Sequence, residues 1–371
     1  MEPTRGEKVD PWGIGGIENY DNLIQEFGIK PIEEILPRIP NPNKYMQRHI
    51  VFGHTELERI LDALDANEPF AVMSGIKPSG PFHMGSKMTA EEIIYFQHLS
   101  PKAMASYCIA DYEAYADNRQ SLEESYEVAI SHLADVLALG LDPKKAYIYR
   151  QSQEKRVLER AFIYSRDVTY NMMEAIYGNR PFGLYLSALI QVADILLPET
   201  NDFGGPKPVV VPIGAEQAPH IRLTRDITKR HHEENFVPPS ATYHKLIRSL
   251  TGSSKMSKRE PMGLLSLTDD LELAKKKIIL AYTGGRESIK IQKELGGEPA
   301  KCVVYEYLMF HFLEDDKELE KVHAECITGT RLCGPCKAQA AEIVAKYLKN
   351  HQQKRVKTLP IAEEILENPH C

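Results

Sequence analysis

Residues 77–87 read KPSGPFHMGSK and lie between a short apolar run, PFAVM at 69–73, and a helix-like segment over 86–99. The apolar run reads as a buried strand, so the stretch joins a strand to a helix through a turn rich in glycine and proline. Such a junction turns free backbone N–H groups and the positive end of the helix dipole toward an anion. His83 adds a donor for a phosphate oxygen, and Gly85, having no side chain, lets a flat ring approach closely. Taken alone, a capping turn with a surface histidine explains the same residues, so the rest of the chain has to decide.

Outward from this turn, short apolar runs alternate with longer helical patterns. Residues 103–109 and 146–149 read as strands, as does PVVVPI at 208–213. Residues 121–139 read as an amphipathic helix, started by a capping box between Ser121 and Glu124. Two or three further helices fill the interval up to residue 197. Strands spaced by helices of this length imply βαβ units and a parallel sheet. Beyond about residue 264 the strand signals fade. Residues 269–281, 303–313 and 334–357 read as helices, broken by TGGRES and LGGEP, and no internal repeat or low-complexity tract is visible. The expected class is α/β: a Rossmann-like parallel sheet followed by an α-helical domain. The expected divisions are an N-terminal extension over 1–68, a catalytic domain over 69–265 and a helical domain over 266–371.

A chain of 371 residues can hold two such domains. A net charge of −7 and a pI near 6.0 argue against a protein that coats nucleic acid, though a local basic patch is compatible with both. The opening MEPTRGEKVDPWG is charged and proline-bearing, unlike a signal peptide, and no run reaches the roughly 18 apolar residues of a membrane span. The expectation is a cytoplasmic protein without a membrane partner. Six cysteines in a chain of this kind point to reduced thiols or metal ligands.

A second loop raises the odds on the histidine turn. TGSSKMSKREP at 251–261 sets Lys255 and Lys258 three apart, flanked by serines and a glycine that leave the segment mobile. Two ammonium groups on such a loop suit closure over a triphosphate, meeting the charge that grows on a departing pyrophosphate. HMGS and KMSKR, about 170 residues apart, together resemble the HIGH and KMSKS motifs of class I aminoacyl-tRNA synthetases. Either half alone is weak, and the pair is specific. VDPWG, YDNLIQEFG, ADYEAY, IQVADIL, GAEQAPHIRLTRDI, LTDD, TGGRES and LGGEP are similar to tryptophanyl-tRNA synthetases of the archaeal and eukaryotic kind, over nearly the whole chain. Tyrosyl-tRNA synthetases share the fold and both loops, but VDPWG and APHIRLTRDI favour tryptophan.

The resemblance implies a HUP-type class I catalytic domain, an α-helical anticodon-binding domain, ATP and Mg²⁺ as cofactors, and L-tryptophan and tRNA(Trp) as partners of a homodimer. It assigns His83, Ser86, Lys255 and Lys258 to phosphate chemistry. Pro78, Ser79, Gly80, His83, Gly85, Gly214, Glu216, Gln217, Lys255, Met256, Ser257 and Lys258 fall to ATP, and Met73, Glu113, Gln191 and Gln217 to tryptophan. An indole N–H only donates, so its pocket needs a rigid acceptor, and the resemblance gives that part to Glu113. Ser86 stands at the second histidine of HIGH, Arg259 at the last serine of KMSKS, and Glu216 where aspartate is usual. Met73 and Cys108 stand where some relatives carry polar or aromatic pocket residues.

Cys333-Gly-Pro-Cys336 has the spacing of a thioredoxin redox motif, but it precedes a long helix in a helical region rather than sitting in a βαβ unit. Counted together, Cys302, 23 residues, Cys326, six residues, Cys333, two residues and Cys336 suit an iron–sulfur cluster, [4Fe–4S], or Zn²⁺. Some bacterial members of the family look similar in carrying a cluster here. Idle thiols in a helical domain explain the same residues. Basic positions Lys337, Lys346, Lys349, Lys354, Arg355 and Lys357 suit the anticodon-reading part that the resemblance gives the helical region, and a solvated amphipathic helix explains them as well. The alternatives are a tyrosine-specific synthetase, a non-catalytic tRNA-binding homologue, and a redox protein built on CGPC.

Overall fold

The computed structural model describes residues 20, 24, 27–254 and 260–368. VDPWG, most of YDNLIQEFG and the lysine-bearing residues 255–259 lie outside the described residues. The chain forms two compact units, one built from residues up to 79, 89–245 and from 361 onward, the other from 80–88 and 246–360.

The first unit carries a seven-stranded sheet: β1 Lys30–Pro31, β2 Val51–Thr55, β3 Phe70–Ile76, β4 Ala103–Ile109, β5 Ala146–Arg150, β6 Val209–Gly214 and β7 Ser240–His244, in the order β1-β2-β7-β6-β3-β4-β5. β7, β6, β3, β4 and β5 run parallel, while β1 and β2 close one edge antiparallel. β3 lies between β6 and β4, and its first five residues are buried. A strand covered on both faces carries an unbroken apolar run, which is why PFAVM was legible as a strand. The expected parallel α/β sheet is present. The sequence reading lacked β1, β2 and β7: SATYH in β7 is polar by composition, yet all five residues are buried.

Helices form where the patterns place them. Leu122–Leu139 starts with the Ser121–Glu124 capping box, and both reciprocal hydrogen bonds are made. Three helices, Lys155–Ser165, Tyr170–Tyr177 and Phe182–Leu196, fill the interval before β6. The last is apolar enough that the window Phe182–Glu199, with mean hydropathy 1.3, passes as a membrane span by length and composition. Burial of 78% of that window makes it the core helix of this unit.

In the second unit the helix Leu271–Leu280 is capped by Asp270, whose carboxylate accepts from the N–H groups of Glu272 and Leu273. The segment expected as one helix over 303–313 is an α-helix only over Val303–Tyr307 and continues as a π-helix over Leu308–Phe312. The last helix is longer than its apolar pattern indicated and runs over Cys333–Glu367.

At one point β3 and β4 leave no room for a side chain. An added Cβ at Gly75 would stand 2.6 Å from the carbonyl oxygen of Cys108 and 3.0 Å from its Cβ. Gly75→Ala is expected to destabilise the protein by about 1–3 kcal/mol, the usual cost of overpacking, read as a lowered urea midpoint with an unchanged slope.

Candidate active site

The histidine turn is tied down on both sides. His83 Nδ1 accepts from the backbone N–H of Gly85 at 3.1 Å and of Ser86 at 3.3 Å, so the imidazole caps the helix Met84–His98. With Nδ1 accepting, the proton of a neutral ring sits on Nε2. The turn also pairs antiparallel with the chain leaving the lysine loop. Met84 N–H donates to Leu265 at 3.2 Å, Leu267 N–H donates to Phe82 at 3.0 Å, and His83 faces Ser266. The lysine loop itself is pinched at its base, where Leu250 N–H donates to Gly263 at 2.9 Å and Thr251 Oγ1 donates to Glu260 at 3.0 Å. Lys87, fully buried, places its ammonium 5.2 Å from the centre of the Tyr347 ring. Gly80, His83, Gly85 and Ser86 thus lie in the second unit, the unit whose chain also contains the lysine loop.

The other expected site residues lie in the first unit. Pro78 accepts a hydrogen bond from Gln120 Nε2 at 2.8 Å, and the buried Ser79 donates its N–H to Lys77 at 2.8 Å. Gly214 ends β6, and Glu216 folds its carboxylate back over it. A Cβ at Gly214 would stand 2.4 Å from Glu216 Oε2, an oxygen buried without a partner. Gln217 closes the short turn that leads into the helix Ala218–Arg230. Glu113, on the helix Asp111–Asn118, lies 3.5 Å from the Lys77 ammonium, which it shares with Asp117. Burial pulls the Lys77 pKa down, but the two carboxylates outweigh it and hold it above its ordinary value. Glu113 is therefore already matched to a cation.

Strand register puts Met73, Ser106 and Tyr147 in one row and Gly75, Cys108 and Tyr149 in the next, all on one face of the sheet. In this region of buried side chains Gly75 alone in β3 is exposed, a gap at the C-terminal end of the central strand, where open α/β sheets take their ligands. Beside the gap lies a polar cluster that the sequence reading missed. Asp194, on the core helix, is 1% exposed. Its Oδ1 accepts from Tyr149 Oη at 2.8 Å and its Oδ2 from Gln151 Nε2 at 2.6 Å. Burial pushes its carboxyl up to about 7 against the pull of these hydrogen bonds, and raises the thiol of neighbouring Cys108 well above the usual range. Gln191 is one helical turn before Asp194 on the same helix. The signal in the sequence was the aspartate inside IQVADIL, a charge at a core position of an otherwise apolar helix.

The second unit gathers the four expected cysteines. Cys302 caps the helix Val303–Tyr307, Cys326 lies near the end of the helix Asp316–Ile327, and Cys333 and Cys336 begin the last helix. All four line one cavity with Val304, Val322 and Arg331. The breaks TGGRES and LGGEP each bring a glycine against one of these sulfurs. A Cβ at Gly285 would stand 2.8 Å from Cys333 Sγ, and one at Gly297 2.8 Å from Cys326 Sγ. Among the described residues no three Cys, His, Asp or Glu side chains converge as a ready ligand group for a single ion.

A parallel sheet with a histidine turn after its central strand, paired to the base of a lysine loop, defines a class I aminoacyl-tRNA synthetase. The model of the family "tRNA synthetases class I (W and Y)" matches residues 65–349, and the chain belongs to that family. It is 40% identical to the tryptophan–tRNA ligase of Methanocaldococcus jannaschii, over 98% of this chain and 99% of that one. It is 41% identical to the tryptophan–tRNA ligase of Hyperthermus butylicus, again over 98% and 99%. The crystal structure of tryptophanyl-tRNA synthetase from Aeropyrum pernix K1 superimposes with a TM-score of 0.89 at 39% identity, covering 98% of this chain and 100% of that one.

Proposed function

We propose that the chain is a tryptophan–tRNA ligase that joins L-tryptophan to AMP and passes the tryptophanyl group to tRNA(Trp). The observation that carries the chemistry is the pairing of Phe82–Met84 with Leu265–Leu267, which anchors the histidine turn to the segment leaving the lysine loop. The tryptophan carboxylate attacks the α-phosphate of ATP in line, pyrophosphate departs, and the terminal adenosine of the tRNA then attacks the acyl carbon. No covalent enzyme intermediate is needed, so positioning and charge stabilisation carry the rate. Class I synthetases use ATP with Mg²⁺. Here His83 and Ser86 bind phosphate oxygens at the helix N-terminus, and Lys255 and Lys258 follow the charge onto pyrophosphate. Gly214 and the unpartnered oxygen of Glu216 receive the ribose hydroxyls. Glu113, balanced by Lys77, faces the substrate ammonium with Gln191 and Gln217.

The last helix carries Lys346, Lys349, Lys354 and Lys357 exposed on one side, a stripe suited to tRNA phosphates. In the first unit Phe162 is 81% exposed, Phe182 74% and Tyr170 53%, a set of aromatic side chains suited to burial in a homodimer.

The four cysteines, gathered round one cavity, suit a [4Fe–4S] cluster. Cys302, Cys326, Cys333 and Cys336 would hold the cluster, which when bound would cross-link the helices that carry them.

Pyrophosphate exchange run with all twenty amino acids is expected to respond to tryptophan alone. A response to tyrosine would move the chain to the sister specificity, and exchange with none would leave a tRNA-binding homologue. Lys258→Ala should lower kcat for exchange by about 10²–10³-fold, the effect of removing one charge-stabilising donor, while tryptophan binding by calorimetry survives. Iron, sulfide and zinc analysis of anaerobically purified protein is expected to find about four iron and four sulfide per chain. Cys333→Ser should lower both, and a wild type lacking iron and sulfide rejects the cluster.

A further inference from the structure

The last helix meets both of the paired loops, through two of its side chains. Lys87 stands one helical turn after His83, and its backbone N–H donates to the His83 carbonyl at 3.0 Å. Its side chain is fully buried, a costly place for an ammonium group. That ammonium lies 5.2 Å from the centre of the Tyr347 ring, within the range of a cation–π contact. Phe312, the last residue of the π-helix, meets the same ring edge-on at 5.4 Å and helps to keep it in place. About one and a half turns further along the last helix, Gln352 donates from Nε2 to the carbonyls of Leu267 at 3.1 Å and Asp269 at 2.8 Å. Both amide hydrogens are thereby spent on the segment whose Leu267 N–H pairs with Phe82. Lys277 fastens the same segment, donating to the Leu264 carbonyl at 2.8 Å and to Asp269 Oδ2 at 2.7 Å. All of these residues belong to the second unit.

We propose that Tyr347 and Gln352 are positioning residues for adenylate formation, acting through the two paired loops and not on the substrate. The inference rests on the ligase reading above and adds the residues that keep its phosphate-binding parts in register. Tyr347 holds the first turn of the histidine helix by way of Lys87, and Gln352 holds the chain leaving the lysine loop. The pairing between those loops is short, resting on the N–H groups of Met84 and Leu267. A two-stranded pairing of this length is marginal by itself, so a grip on each limb from one helix fixes what the pairing alone leaves loose. By helical periodicity Val344 and Leu348 lie between Tyr347 and Gln352 on the buried face of that helix, which makes the grip two-sided. A reaction that runs on positioning is sensitive to such support, because a misplacement of about 1 Å caused far from the chemistry can cost about 10²-fold.

The test reads kcat and KM in tryptophan-dependent pyrophosphate exchange, with folding followed by circular dichroism. Tyr347→Leu, which removes the ring, and Gln352→Met, of similar length and without donors, should each lower kcat by about 10–10²-fold and leave the KM for tryptophan unchanged. Tyr347→Phe keeps the ring and should keep most of kcat, the rescue expected of a cation–π contact. Lys87→Met combined with Tyr347→Leu should be no slower than the slower single variant, since both break one contact. Val344→Ala, which opens a cavity on the same helix, is the control: it should lower the melting temperature and leave kcat as it was. Should Tyr347→Leu fail to fold, Gln352→Met decides. Folded variants with wild-type kcat, or a fall in kcat that Val344→Ala reproduces, overturn the proposal and leave a helix that is structural only. A wild type that exchanges with none of the twenty amino acids sinks the ligase reading first and this proposal with it, a distinct result.

Discussion

The short antiparallel pairing of residues 82–84 with 265–267 is the constraint on which the chemistry hangs. Two loops distant in sequence can act on one triphosphate only if their bases keep a fixed relation, and three backbone positions on each side supply it. Because the hydrogen bonds are main-chain, this register does not depend on the side chains of Phe82, His83 and Met84. The imidazole then has a second duty. By accepting from Gly85 and Ser86 it caps the helix start and fixes its own tautomer. Capping uses Nδ1 and leaves Nε2–H for the phosphate contact proposed above.

The first unit carries a different physical device, polar groups at Asp194 and Gln151 placed where water does not reach. Asp194 is a carboxylate inside the most apolar helix of the first unit, and desolvation raises its pKa even with two donors in place. Such a group is expensive to fold. The glycine at position 75 keeps the central strand close to Cys108.

Much of this was legible in the chain. The four parallel strands with continuous apolar runs, the capping box at Ser121 and the two signature loops follow from local pattern and short-range chemistry. β1, β2 and SATYH in β7 were not legible, because their place is decided by partners far away in sequence rather than by their own composition. The helix at 303 loses its α-geometry at Leu308, where tertiary packing of LMFHF outweighs a regular helical pattern. The resemblance gave the indole acceptor to Glu113, and the structure pairs that carboxylate with Lys77, 36 residues earlier in the chain. Asp194 stood in plain view within IQVADIL. That an aspartate there would face Gln151 and Tyr149 is a matter of register between a helix and a strand 43 residues away.

The two glycines pressed against the cysteine sulfurs carry a consequence of their own. Loops with no side chain at 285 and 297 act as a mould, seating Cys333 and Cys326 during folding rather than on ligand arrival. The entropy of gathering four thiols is then met by the helical domain itself. The same crowding sets a limit: any side chain added at 285 or 297 would meet a sulfur, so the nest has room only for glycine at both places.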